Sequence, residues 1–340
     1  MKLHVFTARF NPLGWAAPQR HFRDWAARMN ELGADVTVVE CAYGELPFEC
    51  EVPGVTHIGV RADSWAWTKE NLINIGIARR PQAQYIAWCD SDCFPRRPDW
   101  VAATLRALQH YRIVQPWETC YDLGPGDSHL YVWRSFCRQY LHGHPIVVAE
   151  GADFASFWGA EHEYPHSGYC WAATRPVLNA VGGLFEYGGM GAADHHQAVA
   201  LLGHARRSFP AGVAPSYAAL LAAWESRAQH AINGRIGYVP GTIEHRFHGR
   251  KTNRQYWGRW QMFLRHGFDP LADLKRNSWG VLEFAGNKPA LEHEWDQYLR
   301  MRWEDDNGDG AASFHRPPDH RYGGEPEPPR PWPPGPPQGS

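Results

Sequence analysis

Apolar positions along the first third of the chain switch repeatedly between two periods. Leu3 to Thr7 has strand character, and from Pro18 to Leu32 the residues Phe22, Trp25, Ala26, Met29 and Leu32 recur at the spacing of one helix face, with Gly33 placed for a left-handed stop. Asp35 to Glu40 and Val55 to Val60 return to strand character, Trp67 to Ala78 is helical, and Tyr85 to Cys89 is an unbroken apolar run of the buried-strand kind. Strands alternating with helices predict a parallel sheet covered on both faces, with ligands gathered at the carboxyl ends of its strands.

Further on, Pro98 to Tyr111 and His129 to Leu141 are predicted as helices, Gly168 to Ala173 as a strand and Asp194 to Leu202 as a helix. Residues 235 to 247 read as extended and Asn253 to Arg265 as helical. Residues 317 to 340 contain ten prolines and almost nothing apolar, so the C-terminal tail is expected to be disordered. The expected organisation is one large α/β domain over 1–305, with a nucleotide-binding half (1–115) and an acceptor-binding, catalytic half (116–305), followed by the Pro/Gly-rich tail 306–340.

Composition narrows the class. At 340 residues and 44% hydrophobic content the chain can bury a substantial core. A net charge of −2 gives no global attraction for nucleic acid or anionic membrane. Seven cysteines, an odd number without a CxxC pair, suit reduced thiols. The sequence has no leader-like apolar stretch and no apolar run approaching about 18 residues, so a cytoplasmic protein without a membrane span is expected.

The Tyr85–Cys89 run ends in Asp90-Ser91-Asp92, two carboxylates one residue apart. At the exit of a parallel strand such a pair can hold a divalent cation against a diphosphate, although Asp-x-Asp also arises in ordinary solvated turns. Other motifs fall away. His162-Glu163-Tyr164-Pro165-His166 matches H-E-x-x-H, but that pattern needs a helix and Pro165 would break it. His142/His144 and His195/His196 lack companion ligands, and neither a GxxxxGK[ST] loop nor a GxGxxG turn after a strand occurs.

The stretch from His166 to Glu186, followed by Gly188-Gly-Met-Gly-Ala-Ala-Asp194, reads as a small-residue strand, a short helix, a Gly-Gly turn and a Gly-rich loop delivering one carboxylate to a helix. Here the chain resembles GT-A-fold glycosyltransferases, a Rossmann-like nucleotide-binding sheet flanked by helices. It is similar to the inverting family 2 enzymes, with a C-terminal half like that of β-1,4-galactosyltransferases. The resemblance spans roughly residues 1 to 305. It implies a nucleotide-sugar donor, UDP-linked, with Mn²⁺ or Mg²⁺. Asp90 and Asp92 match the metal and nucleotide motif. Lys69, Asn71 and Asn74 match a helix that touches the nucleotide, and Thr7, Arg9 and Asn11, around the end of the first strand, join the donor-binding set. Asp194 falls at the catalytic base, with Ala193 where the family carries Glu, which removes an acceptor contact. Ile243-Glu-His245-Arg-Phe-His248 resembles the strand that returns a histidine to the metal, either His245 or His248, with the spacing favouring His245. By its own chemistry Asp194 could equally be a helix N-cap.

Arg246 to Arg276 carries eight Arg and Lys against two Asp. Arg250 and Arg254 are candidates for the donor diphosphate, and a nucleic-acid backbone could use the rest; an internally paired surface is the plain alternative. The run His248 to Tyr256 is also similar to bacteriophage-encoded glycosyltransferases, some of which modify hydroxymethylated DNA bases. The acceptor therefore stays open among a glycan, a small molecule, a protein and modified DNA. A nucleotidyltransferase or a non-catalytic sugar or nucleic-acid binding module are the readings from other classes.

Overall fold

Fourteen strands and ten α-helices build the described part of the chain, residues 1–146 and 164–306 of a computed structural model. The chain runs β1 (Leu3–Phe10), α1 (Ala16–Glu31), β2 (Asp35–Tyr43), β3 (Val55–Ala62), α2 (Lys69–Arg79) and β4 (Tyr85–Cys89). β5 (Cys93–Pro95), α3 (Trp100–Ala107), β6 (Ile113–Gln115), β7 (Thr119–Leu123), β8 (His129–Ser135) and α4 (Phe136–Leu141) follow. After residue 164 come β9 (Pro165–His166), β10 (Cys170–Thr174), α5 (Arg175–Val181), α6 (Ala193–Ala200), α7 (Pro215–Ile232), β11 (Ile236–Tyr238) and β12 (Thr242–His245). α8 (Tyr256–Arg265), α9 (Pro270–Asp273), β13 (Leu274–Arg276), β14 (Leu282–Phe284) and α10 (Pro289–Met301) complete it.

The main sheet has the order β11-β6-β10-β4-β1-β2-β3. β1, β2, β3 and β4 are mutually parallel, whereas β10 runs antiparallel to both β4 and β6. The sheet is thus mixed rather than wholly parallel, a correction to the periodicity reading: a five-residue buried run has no feature that encodes its direction. Leu3, Val5 and Phe6 of β1 and Ile86 and Ala87 of β4 are fully buried, because helices cover both faces. The chain lays β2 and β3 on one side of β1 and β4 on the other, so a switch point opens between β1 and β4.

A second sheet, β5-β12-β7-β8-β9, packs the chain that follows Asp92. Its register sets His245 against Cys93 on one neighbour and against Asp122 on the other. β13 and β14 form a separate hairpin.

Residues 129–141 are not one helix. Tyr131, Val132 and Trp133 are strand formers, and β8 pairs antiparallel with β7; the helix begins only at Phe136, where Ser135 Oγ accepts from Arg138 N. The apolar stripe Tyr217, Leu221, Trp224, Ala228 and Ile232 makes α7 an 18-residue helix missed in the sequence despite its visible period. Not all cysteines are reduced thiols either: Cys89 and Cys170, directly opposed on β4 and β10, are joined by a disulfide, while Cys41, Cys50, Cys93, Cys120 and Cys137 are free and buried. No described helix is long and apolar enough to cross a membrane. The expected disorder of the tail beyond residue 306, and His162 and Glu163 of the H-E-x-x-H match, lie outside the described residues. Pro165 and His166 of that match form a strand, not a helix.

Candidate active site

A cleft of about 890 Å³ opens at the carboxyl ends of β1 and β4. Asp92, His245 and His248 meet in its wall, with one ligand atom from each lying within 4.8 Å of the others. His248 Nε2 is 2.8 Å and His245 Nε2 3.7 Å from the same Asp92 Oδ2. The two histidines arrive on the chain leaving β12, which the second sheet holds beside the β4–β5 turn. Burial would raise the Asp92 carboxyl, but His245 and His248 outweigh it and hold it well below the usual carboxylate range. One carboxylate and two imidazoles form a donor set that could take a divalent cation such as Mn²⁺, with coordination positions left for phosphate oxygens or water. Both histidines, the two alternatives of the sequence reading, stand beside Asp92.

Asp90 points elsewhere. Its carboxylate lies 3.3 Å from Lys69 Nζ, and its backbone N donates to the Tyr169 carbonyl at 2.8 Å. Asp90 is outside the three-residue group, so the two aspartates of the motif have separate surroundings. Burial raises its pKa, Lys69 opposes that, and Asp92 and Asp194 add to it. Burial lowers Lys69, but Asp90, Asp194 and Glu70 together raise it well above its ordinary value, so the ammonium is retained.

Asp194 lines the same cleft, in the first turn of α6. Ala192, not Asp194, is the N-cap residue; the carboxylate Oδ1 accepts from its neighbour His195 N at 2.9 Å. The cap alternative is therefore not the observed geometry. Gly168 makes room for this carboxylate: a Cβ there would stand 2.9 Å from Asp194 Oδ2 and 3.1 Å from His166 Cε1. Arg259 donates to the Met190 carbonyl and so ties down the Gly-rich loop that leads to Asp194.

The remaining candidates divide. Arg9, Asn11, Lys69 and Arg254 line the cleft. The Asn11 amide is committed to its own loop, donating to the Trp15 carbonyl and accepting from Trp15 N, both at 2.9 Å. Thr7 is fully buried and outside the lining. Asn71 and Asn74 also lie away from it: Asn71 Oδ1 accepts from Leu282 N, and Asn74 clasps both backbone groups of Leu184 at 2.8 and 2.9 Å beside the left-handed Gly182–Gly183 turn. Both amides thus hydrogen-bond backbone groups of distant segments. Arg250 pairs with Asp306 outside the cleft.

The basic segment is internally matched. Arg246 pairs with Asp24, Lys251 with Asp122, Arg265 with Glu294, Lys275 with Glu283 and Arg276 with Glu186. Its excess charge is answered by acids distant in sequence, which no local charge count reveals.

Several residues in or behind this wall went unread in the sequence. Asp122 is 1% exposed and accepts from His245 Nδ1 at 2.8 Å and Trp133 Nε1 at 3.0 Å. Glu304 reaches His248 from beyond α10, and His166 stacks on Tyr169 at 4.1 Å between ring centroids. Tyr169 itself has φ of +77°, an uncommon conformation for a bulky residue, at the point where its carbonyl holds Asp90 N. Only Asp122 left a signal, as a lone acid in an otherwise strand-like run.

No protein-family model matches the chain, and no curated protein matches its sequence. Among solved structures it is similar to a nucleotide-diphospho-sugar transferase from Desulfovibrio desulfuricans (11% identity, 89% of this chain and 99% of that one, TM-score 0.30). It is similar also to a mannose-1-phosphate geranyltransferase from Thermus thermophilus (10%, 71% and 74%, 0.33) and to HddC from Yersinia pseudotuberculosis (8%, 52% and 78%, 0.28). Likeness at these scores decides nothing about activity.

Proposed function

We propose that the protein is a metal-dependent GT-A glycosyltransferase that moves a sugar from a nucleotide-sugar, UDP-linked, to an acceptor hydroxyl with inversion at the anomeric carbon. The observation that supports this most is the convergence of Asp92, His245 and His248 with a separate carboxylate, Asp194, on one cleft at a strand switch point. Asp92, His245 and His248 would hold Mn²⁺ or Mg²⁺, which supplies a Lewis acid for the charge gathering on the leaving diphosphate. Lys69 and Arg254 add fixed positive charge on the same wall. Arg9, Phe10, Tyr43, Trp65 and Trp67 give the cleft an aromatic end at the exits of β1 to β3, suited to a nucleobase.

In this reading the acceptor oxygen attacks the anomeric carbon from the face opposite the diphosphate. The bond from that carbon to the diphosphate oxygen breaks, and Asp194 takes the acceptor proton. The acceptor is a glycan, small molecule or protein; modified DNA is the weaker reading, because the basic segment is occupied by internal ion pairs. A panel of UDP-sugars incubated with Mn²⁺ tests the proposal. Release of UDP that stops with EDTA is expected, with inverted configuration in the sugar product. Equal turnover in EDTA removes the metal role, pyrophosphate formed from a nucleoside triphosphate and a sugar phosphate marks a nucleotidyltransferase, and binding without turnover marks a non-catalytic module.

A further inference from the structure

We propose that Asp122 and Glu304 are positioning residues of the cation centre, each holding one histidine by its far ring nitrogen so that both Nε2 atoms converge on Asp92. This rests on the cation reading above. His245 presents Nδ1 to Asp122 Oδ1 at 2.8 Å and Nε2 to Asp92 Oδ2 at 3.7 Å. On the other side His248 has the longer contact at Nδ1, an ionic one 3.7 Å from Glu304 Oε2, and the shorter one at Nε2, 2.8 Å from Asp92 Oδ2. A carboxylate at Nδ1 keeps the ring proton there, turns the Nε2 lone pair toward the centre and makes that nitrogen a stronger ligand.

Each supporting carboxylate is itself fixed. Asp122 is deeply buried, and the Trp133 indole and the Lys251 side-chain nitrogen both donate to its second oxygen. Lys251 in turn lies over the Tyr131 and Trp133 rings, 4.6 and 5.0 Å from their centroids. A carboxylate this far from water is costly to bury unless its oxygens are hydrogen-bonded, as these are. Glu304 is gripped by Arg302 Nε at 2.8 Å. Asp305 beside it accepts from Ala16 N and Ala17 N at the start of α1, and Asp306 pairs with Arg250 at 2.9 Å, so the segment is anchored just past Glu304. A stretch with no other part in the site thereby becomes a support of the cation centre.

The test titrates the full chain with Mn²⁺ alone, following free ion by electron paramagnetic resonance, and records the visible spectrum of the Co²⁺-loaded protein. Asp122→Asn and Glu304→Gln should each weaken Mn²⁺ about 10- to 100-fold and alter the Co²⁺ bands. Glu304→Gln also loses the Arg302 ion pair and is expected to melt lower without metal, so the Co²⁺ bands, which a lost ion pair alone does not move, separate positioning from a general structural role. If the parent binds Mn²⁺ and Asp92→Ala does not, while Asp122→Asn and Glu304→Gln bind within twofold with unchanged Co²⁺ spectra, the positioning roles are overturned and the cation reading stands. A parent that binds neither ion overturns both. Should Asp122→Asn fail to fold, Glu304→Gln decides alone.

Discussion

Replacing Gly168 by alanine probes the proposed base without touching its chemistry. The new Cβ would lie 2.9 Å from Asp194 Oδ2, where ordinary contact begins near 3.4 Å, so the carboxylate must retreat by about 0.5 Å. The wall behind the new methyl is no softer, because His166 Cε1 would stand 3.1 Å away. Gly168 does not have a positive φ, so the backbone tolerates the substitution and the strain falls on the side chains. A misplacement of about 1 Å at a reacting group can cost 10²-fold, and half that distance should cost about 10-fold, or about 1.4 kcal/mol of transition-state stabilisation.

The assay is turnover of a UDP-sugar with Mn²⁺, run as a double-mutant cycle with Asp194→Asn. That variant alone should lose roughly 10² to 10⁴ in turnover, the worth of a positioned general base, with donor affinity nearly unchanged. Gly168→Ala should then cost little more in the Asp194→Asn background, since there is no base left to misplace. Two results refute the reasoning. Near-parental turnover in Asp194→Asn removes the base, and an undiminished Gly168→Ala penalty in the Asp194→Asn background shows that the glycine acts on something else.

Other consequences are as direct. Asn74→Ala should cost about 1–3 kcal/mol of stability by stranding both backbone groups of Leu184, yet leave UDP affinity intact; weakened UDP binding in a folded variant would restore the nucleotide contact expected from the sequence. Burial raises the Glu70 carboxyl from 4.5 to about 7 against the pull of Lys69, so its ionisation opposes folding. Glu70→Gln should therefore melt higher than the parent above pH 7, with the gain fading as pH falls to about 4.5, and a gain independent of pH contradicts that origin. Gel shifts at low salt with plain or hydroxymethylated duplex should show no binding at micromolar protein, given the paired basic segment; a salt-sensitive shift would reopen the DNA acceptor.

The first four strands, α1 and α2 were legible because their apolar periods are long and uninterrupted, and Gly33 does end its helix with φ of +76°. What the chain hides is partnership across distance. Whether β10 runs with or against β4 depends on how the chain returns after residue 164, and the five residues of β10 read the same either way. Likewise Asp90 and Asp92 announce themselves as a pair, but their division of labour comes from Lys69, 21 residues before Asp90, and from histidines beyond residue 240. The partners of Asn71 and Asn74 are distant in the same way. An amide at helical spacing is equally apt to clasp a backbone or a base, and the backbone partners at Leu184 and Leu282 lie more than 100 residues away.

The division between the two aspartates follows from where the sheets meet. Asp90 is the last residue governed by the main sheet, its N–H fixed on Tyr169 at the head of β10. Asp92 already belongs to the second sheet, its carbonyl accepting from Arg246 N just past β12. Ser91 is thus the seam, and the two side chains leave it toward different neighbours: ammonium and Asp194 on one side, two imidazoles on the other. A cation drawn to Asp92, as proposed, would be held against the histidines of the second sheet, while the carboxylate proposed to accept a proton stands on the main-sheet side with Lys69. Separating these charges matters, because a divalent ion shared by Asp90 and Asp194 would depress the basicity that a proton acceptor needs. The seam supplies that separation through backbone pairing alone, so a change in how β5 and β12 pair should disturb cation binding before it disturbs Asp194.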